Sequence, residues 1–273
     1  MMLDKEEYVE QRFLFQTFLE RLEDGYSAQE ILYAMKSEIL STVKLPMAVD
    51  FLLAEIKLKG VMADAMAVMS HYFTPFQTFV VREAEREGGR FDFKVALRIL
   101  ERLAGYLSEN PTRQGVFFYQ FETISRNRLG FDSALEAIAT DPIYDEAWRH
   151  WINVILRRQL GIIDFASLIY VRSEFYEPGP DEERETALFA QREGRIAWAS
   201  RHRDPTFLFA ALNRHLGYPK VPRPVRAVEE ENQVPALKRR ITLLESRMQL
   251  LEEELKGGVN LERFYVRDSS PKK

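Results

Sequence analysis

Phe73-Thr74-Pro75-Phe76, then Val80-Val81-Arg82-Glu83-Ala84-Glu85-Arg86-Glu87-Gly88-Gly89-Arg90-Phe91, then Leu97-Arg98-Ile99-Leu100-Glu101-Arg102-Leu103-Ala104-Gly105-Tyr106-Leu107, is the stretch that decides the fold. It predicts a helix, a Gly-Gly corner and a second helix returning antiparallel. Pro75 suits a first helical turn, where its missing N–H would have no intrahelical partner. Val80, Val81 and Ala84 supply one apolar face, and Gly88 with Gly89 supplies the backbone freedom of a tight helix end. Leu97, Leu100, Leu103, Ala104 and Leu107 recur at helical spacing on the return. An ordinary helical hairpin carries the same pattern, and no catalytic constellation lies within it.

Working outward, Phe13, Phe15, Phe18, Leu19 and Leu22 mark an earlier helix that closes at Asp24-Gly25. Ser27 and Glu30 form a capping-box signature for the next, through Ile31, Leu32, Met35 and Ile39. Pro46 opens a third, carrying Val49, Leu52, Leu53 and Ile56 and stopped by Gly60. A short helix runs from Met62 to about Met69. Six helices on short connections predict an all-α, antiparallel six-helix bundle over residues 1–109.

In this order, the helix ending in Gly25, Glu30-Ile31-Leu32, Lys57-Leu58-Lys59-Gly60, Ala63-Asp64-Ala65-Met66, Phe73-x-Pro75-Phe76, Glu87-Gly88-Gly89-Arg90-Phe91 and Leu103-Ala104-Gly105-Tyr106-Leu107 resemble a known domain. It is the cytoplasmic domain of the type II secretion system F-protein family, the assembly-platform proteins of secretion machines and type IV pili. The resemblance covers residues 10–108. It implies a non-enzymatic helical scaffold or adaptor of a protein secretion or type IV pilus-like system. The implied partners are envelope assembly machinery and its ATPase, met at the charged corner Arg82, Glu83, Glu85, Arg86 and Glu87. Two departures stand out. Glu85-Arg86-Glu87 replaces the family's Gly-Glu before the corner glycine, and the family's transmembrane helices have no counterpart. The most apolar run, Leu160 to Val171, contains Asp164 and falls short of the roughly 20 residues a span needs. A soluble, divergent relative is therefore expected, cytoplasmic or peripheral to the inner membrane.

Residues 110–218 read as a second helical domain. Phe118-Tyr119-Gln120-Phe121 through Gly130-Phe131 to Ala134-Leu135-Glu136-Ala137-Ile138 echoes Phe15-Gln16-Thr17-Phe18 through Gly25-Tyr26 to Glu30-Ile31-Leu32, which leaves a degenerate repeat open. Pro142 is expected to open a helix with Ala147, Trp148, Trp151, Ile152, Ile155 and Leu156 on its apolar side and His150 partly exposed. Glu177 to Glu185 is a Pro/Gly/acidic surface loop. A charged helix follows over about Arg184 to Arg201. Asp204 then caps a helix with Pro205 in its first turn and Gly217 at its end.

The segment 195–226 is basic, through Arg195, Arg201, Arg203, Arg214, Lys220, Arg223 and Arg226. As an alternative function it is a module engaging nucleic acid or anionic lipid. It shows no aromatic interleaving on the basic face and no nucleic-acid motif, so a solvated face is the simpler reading and nucleic acid the weaker one. Residues 219–235 form a Pro-rich linker, stiffened by Pro219, Pro222 and Pro224.

Leu237, Ile241, Leu244, Met248, Leu251 and Leu255 alternate spacings of four and three, a heptad seam over 236–256. Ile241, Met248 and Leu255 at a positions place Arg240 and Arg247 at g and Glu245 and Glu252 at e. In a parallel assembly these pair between chains, and exposed pairs of this kind contribute only about 0–1 kcal/mol. Both Arg240-Ile241-x-x-Leu244-Glu245 and Arg247-Met248-x-x-Leu251-Glu252 resemble the motif of short parallel trimers, which favours a trimeric homo-oligomer over a dimer. A helix folded back on its own body is the competing reading. Residues 257–273 read as a flexible tail.

Bulk properties narrow the function classes. Hydrophobic content of 46% with 29% charged residues is that of a folded chain, and 13 Gly with 12 Pro in 273 residues favours long helices. A net charge of -4 disfavours a general nucleic-acid binder. With no Cys, four scattered His and no Gly-rich phosphate loop, neither an enzyme nor a cofactor or metal site is expected. Glu83, Glu85 and Glu87 disperse around a helix axis instead of converging on a cation.

Overall fold

Ser27 shows how the chain punctuates its helices: its hydroxyl accepts the Glu30 N–H while the Glu30 carboxylate accepts the Ser27 N–H, a reciprocal capping box. The computed structural model describes residues 2–39, 44–86, 91–179, 185–223 and Met248. Twelve helices are seen among them: α1 Lys5–Glu23, α2 Ala28–Glu38, α3 Lys44–Lys59, α4 Ala63–Val68, α5 Pro75–Glu85, α6 Phe93–Ser108, α7 Arg113–Asn127, α8 Phe131–Ala139, α9 over 146–159, α10 Phe165–Val171, α11 Gln191–Ser200 and α12 Pro205–Leu216. The described residues form no strand, only two isolated bridges, Leu160 with Ile163 and Ser173 with Phe189.

Two more helices start where expected, at Pro75 and at Pro205. Thr74 and Gln77 make a second capping box with Pro75 in the first turn of α5. Asp204 caps α12 ahead of Pro205, and Gly217 ends it in the left-handed conformation, φ 69°. The Gly88-Gly89 corner, with Glu87 and Arg90, lies outside the described residues.

α1 lies along α6. Arg12 faces Glu101 and Gly105, while Phe18 packs edge-on against Phe93 at 6.1 Å, so numbering rises on one helix as it falls on the other. A Cβ at Gly105 would come within 3.2 Å of Arg12 Cδ, which explains the small residue at this crossing. Leu97, Ile99, Leu100, Leu103 and Ala104 are fully buried behind it. Each of the leucines and the isoleucine contributes about 1.5–3 kcal/mol relative to exposure. A buried polar chain crosses the same interior. Gln11 donates to the Tyr72 carbonyl at 2.6 Å, and Gln77 donates to Gln11 at 2.8 Å, so these amides are satisfied away from water.

A second concentration of rings surrounds Phe117, where Trp148, Trp151 and Phe189 lie 5.3–6.1 Å away. This cluster overrides local preference at two places. Leu188 and Phe189 fall in the stretch expected as the start of a charged helix. They are instead extended, bonded to the Arg172 carbonyl and buried, so α11 starts only at Gln191. The helix expected from Pro142 starts at Glu146, because Asp145 caps it by accepting the Trp148 N–H at 3.1 Å. His150 is exposed, as read from the sequence.

Met1–Pro224 is one compact unit and Val225–Lys273 another. No separate unit begins at residue 110: α5 packs on α8, and α6 on α7. Asp141, in the turn after α8, joins them, taking hydrogen bonds from Gln120 of α7 and from Thr74 at the start of α5. The first residues of the stretch expected as linker lie on this body. Val221 is buried and the Pro222 carbonyl accepts from Asn127, just after Tyr218, which is buried with its hydroxyl on Glu122. Of the second unit only Met248 is described, helical and 61% exposed. The rest of the heptad seam, the Pro-rich linker from 224 onward and the tail lie outside the described residues.

Candidate functional site

α9 is not a uniform α-helix. Its middle, Trp151–Leu156, is a π-helical turn, and the Arg157 N–H donates to the Ile152 carbonyl five residues back. The extra residue rotates everything after it by about one position, roughly 100° on a 3.6-residue turn. Trp148, Trp151 and Ile152 therefore stay on the core, while Arg157 and Leu160 turn toward α8 and a cleft.

The cleft holds about 720 Å³. α7 gives it Phe121 and Ser125, α8 gives Phe131, Asp132, Ser133 and Leu135, the end of α9 gives Arg157, Leu160 and Gly161, and Phe165, Pro205 and Phe209 come from α10 and α12. Its floor is aromatic. Phe121 stacks on Phe165 with centroids 4.1 Å apart, and Phe131 and Phe209 stand 6.0 and 6.2 Å from Phe121. At the rim, Arg157 Nε donates to Asp132 at 2.7 Å and its Nη2 lies 3.9 Å from Glu136. The hydrogen bond to Asp132 raises the arginine above its ordinary pKa. An apolar floor with a few polar groups at the mouth suits a ligand or a partner's side chain that is mostly apolar.

Ser133 also lines a second hollow of about 470 Å³, with Phe73, Pro75, Phe79, Arg82, Glu83, Glu136 and Thr140. Arg82 and Glu83 pass in turn into a third, of about 460 Å³, with Val61, Asp64, Glu85 and Arg86. The three hollows follow one another along α8 and across α5 to the start of α4, the first and second sharing Ser133 and the second and third Arg82 and Glu83.

The expected partner corner therefore lies on these hollows, with its residues in different roles. Arg82 is exposed, 4.0 Å from Asp64, and Arg86 is exposed, 3.9 Å from Glu83. Glu85 is turned inward. Its carboxylate accepts the Met62 N–H at 2.6 Å and the Ala63 N–H at 2.9 Å, capping α4. Burial pushes its pKa up more strongly than those two bonds pull it down. Glu85 thus serves the fold, and Glu87 lies outside the described residues.

The basic segment is not a single face. Arg195, Arg203, Arg214, Lys220 and Arg223 are exposed, Arg201 is half-buried, and Arg226 lies outside the described residues. Aromatic interleaving, unexpected from the sequence, is present. The Arg201 guanidinium lies 3.0 Å above the Trp198 ring and 5.3 Å from Tyr170, and Arg195 lies over Phe175 at 5.4 Å. Among the described residues no three His, Asp or Glu side chains converge as a metal site, and no helix is long and apolar enough to cross a membrane. Compared with models of protein families, with curated proteins and with solved structures, the chain matches none.

Proposed function

We propose that this chain is a non-enzymatic helical adaptor that holds a helix of a partner protein in the groove from Arg157 to Asp64. The observation that supports it is the succession of three hollows that share lining residues, Ser133 between the first two and Arg82 with Glu83 between the last two. Its aromatic cleft offers a seat for a large apolar anchor, and its rim alternates Asp132, Arg157, Glu136, Arg82 and Glu83. An amphipathic helix presents its apolar anchors along one face, and a mixed-sign rim sets its register. The residues quoted above for the secretion-platform F-protein family make a protein secretion or type IV pilus-like assembly system the setting, with the machine's ATPase among candidate partners and the cytoplasmic side of the inner membrane as the place. The heptad seam Leu237 to Leu255 is the proposed means of self-association, three chains in parallel.

Ser133 is exposed where two hollows meet, so Ser133→Trp blocks the groove without entering the core. Crosslinking in the native host followed by mass spectrometry is expected to recover envelope assembly components with the wild type and to lose them with S133W at unchanged melting temperature. Capture indifferent to S133W, or devoid of such components, refutes the proposal. Light scattering of the intact chain is expected to give the mass of a trimer, and that of the L244D/L251D double variant a single chain.

A further inference from the structure

Two turns at one end of the body carry apolar side chains that folding leaves in water. The α9–α10 turn exposes Ile162 and Ile163 at 83% and 40%, and Ile162 is the most exposed large apolar side chain among the described residues. The α11–α12 turn leads into Phe207, exposed at 65%. The turns are tied together: the His202 N–H donates to Asp164 at 3.3 Å, and Gly161 and Pro205 share the wall of one hollow. Arg158 and Arg203 are exposed, four residues in sequence before Ile162 and Phe207, with the 44%-exposed Trp198 in the last turn of α11 and Arg201 just past its end. The two acids of these turns sit at helix starts, where the backbone offsets their charge. Asp204 accepts the Thr206 N–H and Asp164 precedes α10.

Exposed apolar tips ringed by arginines, with a tryptophan at the margin, are what an interfacial membrane contact requires: apolar side chains for the acyl boundary, cations for the phosphates, an amphipathic ring between. A single-stranded nucleic acid would instead need open ring faces. Here Trp198 is covered by Arg201 and packed against Tyr170 at 4.6 Å, and the two isoleucines and Phe207 would gain nothing from a polyanion. We propose that this end is a docking surface for an anionic bilayer, with Ile162, Ile163 and Phe207 entering the headgroup–acyl boundary and Arg158, Arg201 and Arg203 meeting lipid phosphates.

The protein carries its own reporter, because Trp198 is exposed while Trp148 and Trp151 are buried. With vesicles of phosphatidylcholine containing about one-third phosphatidylglycerol, the protein is expected to co-float, and its emission to shift to the blue. Pure phosphatidylcholine vesicles are expected to bind at least tenfold less. Ile162→Asp with Phe207→Asp lowers the partition coefficient about tenfold or more, since two large apolar side chains leave the interface. Arg158→Glu and Arg203→Glu each lower it about fivefold, equivalent to ~1 kcal/mol per basic residue at an anionic surface.

These positions are exposed, so the melting temperature holds, and bromine-labelled lipid quenches the wild-type emission directly. Absence of co-flotation overturns the proposal, as does binding unchanged in the I162D/F207D variant. So does salt-sensitive binding of a single-stranded oligonucleotide in place of vesicles. S133W leaves both turns intact, so failure here is distinct from failure of the adaptor.

Discussion

Replacing Asp141 by asparagine is expected to stabilise the protein near neutral pH, although it deletes a buried, hydrogen-bonded carboxylate. Asp141 is 5% exposed, in the turn between α8 and α9. It accepts from Gln120 Nε2 at 3.1 Å and from the Ile143 N–H at 3.4 Å. Burial outweighs these bonds and raises its pKa from 3.8 to about 6. A carboxyl whose folded pKa lies above its unfolded one binds its proton more tightly in the native state. Unfolding free energy therefore falls as pH rises from about 4 to about 6 and is level beyond, as far as this group is concerned.

Two pH units correspond to ~3 kcal/mol. Asparagine keeps the shape without the charge. Its single carbonyl must serve donors that two oxygens shared, which returns about 1 kcal/mol. The net expectation is ~2 kcal/mol in favour of D141N at neutral pH, about 4–8 °C in melting temperature for a body of this size. Calorimetry of both proteins across the window is the assay. The gap is expected to close near pH 4 and to open by about pH 6. A D141N protein less stable than wild type at neutral pH, with an unchanged pH slope, refutes the argument.

Two other substitutions test the packing. Glu85→Ala orphans the Met62 and Ala63 N–H groups at the start of α4 and is expected to cost about 2 kcal/mol in a urea titration, because the cap is lost. A partner-binding defect at full stability would contradict this. Gly194→Ala sets a Cβ into Ser173 Oγ and 2.7 Å from Phe175 Cβ, which is expected to cost roughly 1–3 kcal/mol and to loosen α11 from α10. Amide exchange over Gln191–Ser200 reads the second effect.

What was legible in the sequence is what is local. Ser27 with Glu30, Thr74-Pro75, Asp204-Pro205 and Gly217 each act within four residues, and each marks a helix end where expected. The π-turn was hidden because Trp148, Trp151, Ile152 and Leu156 also satisfy α spacing, and the additional residue shows only in which carbonyl Arg157 finds. The cleft was hidden for a different reason. Phe121, Phe131, Phe165 and Phe209 come from four helices, and each alone reads as core.

Glu85 illustrates the limit of a charge pattern. On its own helix it reads as a surface acid, and only contact with backbone 22 and 23 residues earlier turns it inward. The arginine–aromatic layering is not legible in the basic segment itself, because Tyr170 lies in α10 and Phe175 just after it, although Trp198 stands within the segment.

The clasp between the first and sixth helices also governs how the chain is made. Arg98 reaches Glu23 across 75 residues, so α1 emerges from the ribosome long before its partner exists. At about 5–20 residues per second, that interval is roughly 4–15 s. Throughout it Leu14, Phe15 and Phe18 lack α6, the helix that packs most extensively against α1. The nascent chain must then keep an amphipathic segment solvated, and that window is when a holding chaperone has most to grip.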